Sequence, residues 1–152
     1  MGRLAAIAAA IALLAIAAGC GGGGDTSAGA GGSGGDVASD ADSACARANA
    51  EIASLPIPGN EQAVVEYLEQ TEATVERLQR EVAGLDGSAE LTRFSAALAS
   101  SVAVLNEMAN AARSRNPDGV RELSQQLEQL HLGRVAEAAG LQTCAEAPKV
   151  ES

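Results

Sequence analysis

NEQAVVEYLEQTEATVERLQREVAGL, residues 60–85, carries the clearest helical periodicity in the chain. Its stripe positions Leu68, Thr71, Val75, Leu78, Val82 and Leu85 recur at alternating intervals of three and four, with Val64 one step earlier. That spacing stacks them on one face of an α-helix, where side chains three and four apart lie above one another. Asn60 carries the short polar side chain that caps free N–H groups at a helix start. Glu66, Glu69, Glu72 and Glu76 fall mostly off the stripe as a solvated face, and Glu76 lies one turn before Arg80, a favourable pairing. A helix with a single apolar stripe buries it against other helices, so this stretch is one member of a bundle.

Working outward, the break at Gly84-Leu85-Asp86-Gly87-Ser88 is short and predicts that the next helix turns back antiparallel. From Ser88 the positions Leu91, Phe94, Leu98, Val102, Leu105, Met108 and Ala112 keep helical spacing over about seven turns. Asn116-Pro117-Asp118 is a second start signal: a capping side chain, proline at the first helical position, and an acid beside the positive end of the helix dipole. The fourth helix carries Val120, Leu123, Leu127, Leu130 or His131, Val135 and Ala138. It stops at Gly140-Leu141, where glycine suits the left-handed position after a helix and Leu141 can pack back.

Upstream, Asp40 or Asp42 caps a first, shorter helix with Cys45, Ala48, Ile52 and Leu55 on one side. Leu55-Pro56-Ile57-Pro58-Gly59 ends it, because proline cannot continue the hydrogen-bond ladder. The expected fold is all-α, an antiparallel four-helix bundle of one short and three long helices over residues 39–145, with a frayed tail at 146–152. A three-helix bundle with the first helix laid across one end is the alternative.

Residues 1–20 carry a different message. Arg3 and the free amine precede fifteen apolar residues, Leu4 to Ala18, the length of a secretory apolar core. As a helix this segment reaches only about 22 Å, short of the ~30 Å hydrocarbon core of a bilayer. Ala17-Ala18-Gly19-Cys20 resembles the lipobox of bacterial lipoproteins, with Ala17 standing where leucine is most frequent. The resemblance implies that residues 1–19 are a signal peptide cut before Cys20, whose sulfur takes a diacylglyceryl group and anchors the chain in the membrane. A plain secretory peptide cut after Ala15-Ile16-Ala17, or an uncleaved anchor, are the competing readings. Residues 20–38 are then the lipidated cysteine and a glycine-rich tether, whose coil dimension of roughly 20–25 Å clears the head groups.

Lipidation of Cys20 leaves Cys45 and Cys144 as an even pair, and a disulfide between them would tie the two ends of the folded region together in an oxidising compartment. Two free buried cysteines are the alternative.

Without residues 1–19 the chain keeps nine of ten basic residues and all twenty acids, a formal charge of −11. Such a surface repels phosphates, so no nucleic-acid partner is expected, and adhesion to anionic lipid head groups is disfavoured as well. Tyr67 and Phe94 are the only aromatic residues, too few for a stacking platform. Tyr67 sits at the stripe edge as amphipathic packing.

Glu128-Gln129-Leu130-His131 has the Glu-x-x-His spacing of helical metal sites, but His131 is the only histidine, and a di-iron bundle needs two such pairs and two more inward glutamates. No metal, zinc included, and no cofactor is expected. His131 reads as a boundary residue. Catalysis by a nucleophile needs an adjacent oriented base, and none is at hand for any serine, threonine or thiol. Ser100-Ser101 reads as small residues that permit close packing or face solvent. The glutamate row lacks the clustered loop oxygens of a calcium site. Gly21 to Gly24 is tether, with no phosphate-loop continuation.

The whole layout is similar to a group of small exported lipoproteins of actinobacteria. The features are the Ala17-Ala18-Gly19-Cys20 start, the glycine tether, the Cys45-Ala46-Arg47-Ala48-Asn49-Ala50 opening and the close from Ala139 to Cys144. The resemblance implies export and lipid anchoring and carries no catalytic motif. The expected function is a non-enzymatic lipoprotein tethered at the extracytoplasmic face of the cell membrane, an interaction or binding module with an envelope protein as partner. A carrier of a small apolar ligand or lipid in the bundle core, and an enzyme subunit or metal protein, are the rivals.

Overall fold

The stripe on residues 60–85 becomes one arm of a long helical hairpin. The computed structural model describes residues 34–146; the expected signal peptide, the lipidation site Cys20, the tether up to residue 33 and the tail from 147 lie outside the described residues. The described residues are helical with no strand among them: α1 (Gly34–Ala53), α2 (Glu61–Ala83), α3 (Ala89–Arg113), α4 (Pro117–Gln129), α5 (Leu132–Ala138) and a terminal turn α6 (Gln142–Ala145).

The caps form where the side chains call for them. Asn60 accepts from the Ala63 N–H at 2.9 Å, Ser88 from Leu91 at 3.2 Å and Asn116 from Gly119 at 3.0 Å, with Pro117 at the first position of α4. Each satisfies an N–H that has no partner inside its own helix. Gly140 ends α5 at φ 76°, its N–H bonding to the Glu137 carbonyl and the Leu141 N–H to that of Ala136. This is the Schellman pattern, and Leu141 folds back to only 1% exposure. The same pattern ends α3, where Arg115 takes φ 54° and the Asn116 N–H reaches Ala111.

Polar pairs along the helices fix their directions. Arg47 meets Glu81 at 2.6 Å and Glu51 meets Arg77 at 2.5 Å, so the α2 partner recedes as α1 advances. Between α2 and α3 the pairs are Glu61 with Arg115, Glu69 with Arg113, and Glu72 with Asn106, again in opposite order. Thus α2 runs antiparallel to both neighbours. These pairs are exposed and contribute at most about 1 kcal/mol each, whereas each buried leucine or phenylalanine contributes ~1.5–3 kcal/mol. Apolar burial holds the helices together, and the ion pairs lie along the seams it sets.

The core has two parts. Ala41, Cys45, Leu78, Val82, Phe94, Leu98, Ala136 and Leu141 form one, where α1 and α5 cover an end of the α2–α3 hairpin. Val64, Leu68, Leu105, Met108, Val120 and Leu127 form the other, covered by α4. Val75 packs against both. The expected stripes are largely buried, and α3, flanked by three helices, also buries Ser101, Val104 and Ala109. Ser101 is 1% exposed while Ser100 faces solvent, so the serine pair does both things its size allows.

Three expectations need correction. First, α1 begins at Gly34, ahead of the expected Asp40 or Asp42 cap, and its 20 residues make it a long helix. Packing of Val37, Ala38 and Ala41 against the first core part outweighs the low helix propensity of its glycine-rich start. Second, the fourth helix is not continuous: it breaks at Leu130-His131, with His131 in the left-handed region at φ 47°. The break lets α4 cover one core part and α5 the other, and it shifts the phase so that Ala136, not Ala138, is buried. Third, Glu69 and Glu72 are not merely a solvated row, because both tie α2 to α3.

Candidate functional site

Cys45 and Cys144 form a disulfide, with Cα atoms 5.1 Å apart and 99 positions between them in sequence. The bond is the centre of a larger clasp. Asp42, Cys45 and Asn49 stand at intervals of three and four on α1, on the same face of the helix. The Asp42 carboxylate accepts from the backbone N–H groups of Gln142 (3.2 Å), Thr143 (2.9 Å) and Cys144 (3.3 Å). The Asn49 amide donates to the carbonyls of Thr143 (3.2 Å) and Glu146 (3.3 Å). Asp42 thus caps the start of α6 across 100 residues instead of capping its own helix, and Asn49 satisfies the other end of the same turn. Charged acceptors make the stronger hydrogen bonds, so Asp42 is the principal polar contact of the clasp. Gly133 of α5 lies against its far side, where a Cβ would sit 3.1 Å from the Ala145 carbonyl oxygen.

Two clefts open on the surface. One, of about 260 Å³, lies where the start of α1 meets the α2–α3 turn and Leu141, lined by Val37, Ala38, Asp86, Ser88 and Leu91 among others. The second, of about 240 Å³, runs between α1 and α2 and is crossed by the Arg47–Glu81 and Glu51–Arg77 pairs, with Thr74 beneath them. The Arg77 guanidinium holds the Glu51 carboxyl below its ordinary pKa, opposed by desolvation and aided by the Thr74 hydroxyl, which donates to Glu51 at 3.1 Å. On α2, burial pushes the Tyr67 phenol upward, partly offset by the Thr71 hydroxyl.

His131 is exposed at the α4–α5 break rather than at a boundary. Among the described residues no group of three or more histidine, cysteine, aspartate or glutamate side chains is placed to hold a metal ion. No helix among the described residues is long and apolar enough to cross a membrane. Cys20 lies outside the described residues. No protein-family model, no curated protein and no solved structure matches the chain.

The structure brings together the Cys45-to-Ala50 opening and the Ala139-to-Cys144 close, through the Asn49–Thr143 contact across 94 residues and the Cys45–Cys144 bond across 99. Asp42 and Asn49 are the residues that local reading misassigns or passes over. The available signal was their spacing from Cys45, which puts both on the face that carries the disulfide.

Proposed function

We propose that the chain is a non-enzymatic lipoprotein of the cell envelope, lipidated on Cys20 at the extracytoplasmic face of the cell membrane, with its helical domain serving as an interaction module. The observation that supports this reading most is the Cys45–Cys144 bond. It leaves Cys20 as the one cysteine of three without a disulfide role, in an Ala17-Ala18-Gly19-Cys20 setting that suits lipidation, and it fits an oxidising compartment. On this reading α1, α2, α3 and the split pair α4–α5 act as the four members of an antiparallel bundle, a rigid body carried on the tether. Its acidic surface favours a neutral or basic protein partner over nucleic acid or anionic lipid.

Crosslinking in intact cells, followed by identification of neighbours, tests the proposal against a Cys20→Ala variant. The wild-type chain is expected in the membrane fraction with a reproducible envelope protein attached, and the variant is expected to lose both. A variant that stays membrane-bound with the same neighbours would remove the lipid from the account. A wild-type chain without any reproducible neighbour would remove the interaction module.

A further inference from the structure

The clasp does more than surround the disulfide. The five hydrogen bonds, three that Asp42 accepts and two that Asn49 donates, join these side chains to the backbone of residues 142–146 and involve neither sulfur. They seat α6 on α1 through groups that are present whether or not the sulfurs are joined. Cys45 is 2% exposed, inside the core part where α1 and α5 cover the α2–α3 hairpin, whereas Cys144 is half-buried at the surface of the clasp. The chain also contains Cys20, a third thiol that could pair with either cysteine before it is lipidated.

We propose that Asp42 and Asn49 are positioning residues for the oxidative closure of the domain: they hold α6 on α1 in the dithiol protein and so direct Cys144 to Cys45 rather than to Cys20. The oxidant is a small-molecule or protein disulfide. The half-buried Cys144, the more accessible of the two, attacks as its thiolate one sulfur of that disulfide, forming a mixed disulfide and releasing one thiolate, which takes up the proton Cys144 lost. The buried Cys45, shielded from the oxidant, then attacks the Cys144 sulfur as its thiolate. The Cys144–oxidant bond breaks, the Cys45–Cys144 bond forms, and the second oxidant thiol leaves with the Cys45 proton. Two electrons pass from the protein thiols to the oxidant disulfide, and no other reactant is needed.

The test uses the full-length, unlipidated chain in detergent, mixed with buffers of reduced and oxidised glutathione, sampled from early times to equilibrium, quenched by alkylation and mapped by peptide mass spectrometry. The wild type is expected to pair Cys45 with Cys144 almost alone and to carry glutathione first on Cys144. Asp42→Ala with Asn49→Ala is expected to lower the effective concentration of the pair roughly tenfold or more, since a hydrogen bond to a charged group contributes at least that factor, and to raise the share of Cys20 pairs. Asp42→Asn, whose single amide oxygen can replace Oδ1 toward Thr143 and Cys144 but not Oδ2 toward Gln142, is expected to recover only part of the loss. Leu127→Ala, in the other core part, is the control for general destabilisation and is expected to leave the effective concentration unchanged.

Unchanged pairing in the double variant, glutathione appearing first on Cys45, or an equal loss in Leu127→Ala would each overturn the proposal. Should the double variant fail to fold, amide exchange in Cys144→Ser decides. Protected N–H groups at Gln142 and Thr143 would support a clasp that stands without the disulfide, and unprotected ones would overturn it.

Discussion

Replacing Cys45 and Cys144 together by alanine removes a link between positions 99 apart and leaves the groups of Asp42 and Asn49 that contact the terminal turn in place. The effect therefore falls mainly on the unfolded chain, which gains the freedom the link denied it. For a closed loop of about 100 residues the chain-entropy treatment gives ~4.7 kcal/mol at 25 °C, an upper figure because residual structure in the unfolded chain reduces it. Domains of this size have total stabilities of roughly 5–15 kcal/mol, so at its upper figure the loss runs from about a third of the total to nearly all of it. At about 4 °C per kcal/mol the thermal midpoint falls by up to ~15–20 °C.

Urea unfolding followed by helical circular dichroism measures this directly. The variant is expected to unfold at lower urea with a steeper slope, since an unfolded chain without the link exposes more surface. A loss under about 1 kcal/mol with an unchanged slope would refute the assignment of the effect to the unfolded ensemble. It would mean that the ends of the domain are already close in the absence of the bond.

Arg115 holds the left-handed position after α3, and its ion pair with Glu61 is 3.5 Å long and exposed. Arg115→Gly is expected to stabilise by about 0.5–1 kcal/mol, because relief of the left-handed strain exceeds the added freedom of glycine and the small ion-pair term. Urea midpoints beside Arg115→Ala check this, and a glycine variant no more stable than the alanine one contradicts it. A Cβ at Gly87 would lie 2.3 Å from Leu91 Cδ2 and 3.0 Å from its Cβ, so Gly87→Ala must displace a buried leucine. The expected loss is about 1–3 kcal/mol in thermal melts, and an unchanged midpoint would show that Leu91 swings aside freely. Tyr67 is the only tyrosine, in a chain without tryptophan, so phenolate absorbance reports it alone. Its pKa is raised above 10.0 by burial, so the neutral phenol adds stability that is present below the unfolded pKa and lost as pH rises through the folded one. A transition at or below 10.0 would contradict the burial of its ring.

What could be read from the sequence was local or periodic. Asn60, Ser88 and Asn116 cap the helices they precede, and Gly140 takes its left-handed turn, because such signals act within a few residues. The α2–α3 hairpin follows from a short break between two strong stripes. What escaped was set by contacts distant in sequence. Nothing at Leu130-His131 resembles a breaker, and only Gly133, three residues on from Leu130, hinted at the close approach to Ala145 that the break allows. Asp42 looked like a cap for its own helix because capping rules are local, whereas its carboxylate serves a turn 100 residues away. The early start of α1 depends on packing against Leu141 and the α2–α3 turn, which no propensity at Gly34-Gly35 announces.

Intact mass spectrometry of the native protein, extracted from membranes without reductant and treated with a thiol alkylator, tests at once the proposed anchor at Cys20 and the closure of the domain by Cys45 and Cys144. The expected species begins at Cys20, carries a diacylglyceryl group there, and takes up no alkylator until it is reduced, when Cys45 and Cys144 each take one. A chain that keeps residues 1–19, or one that is alkylated at Cys20 before reduction, would contradict it.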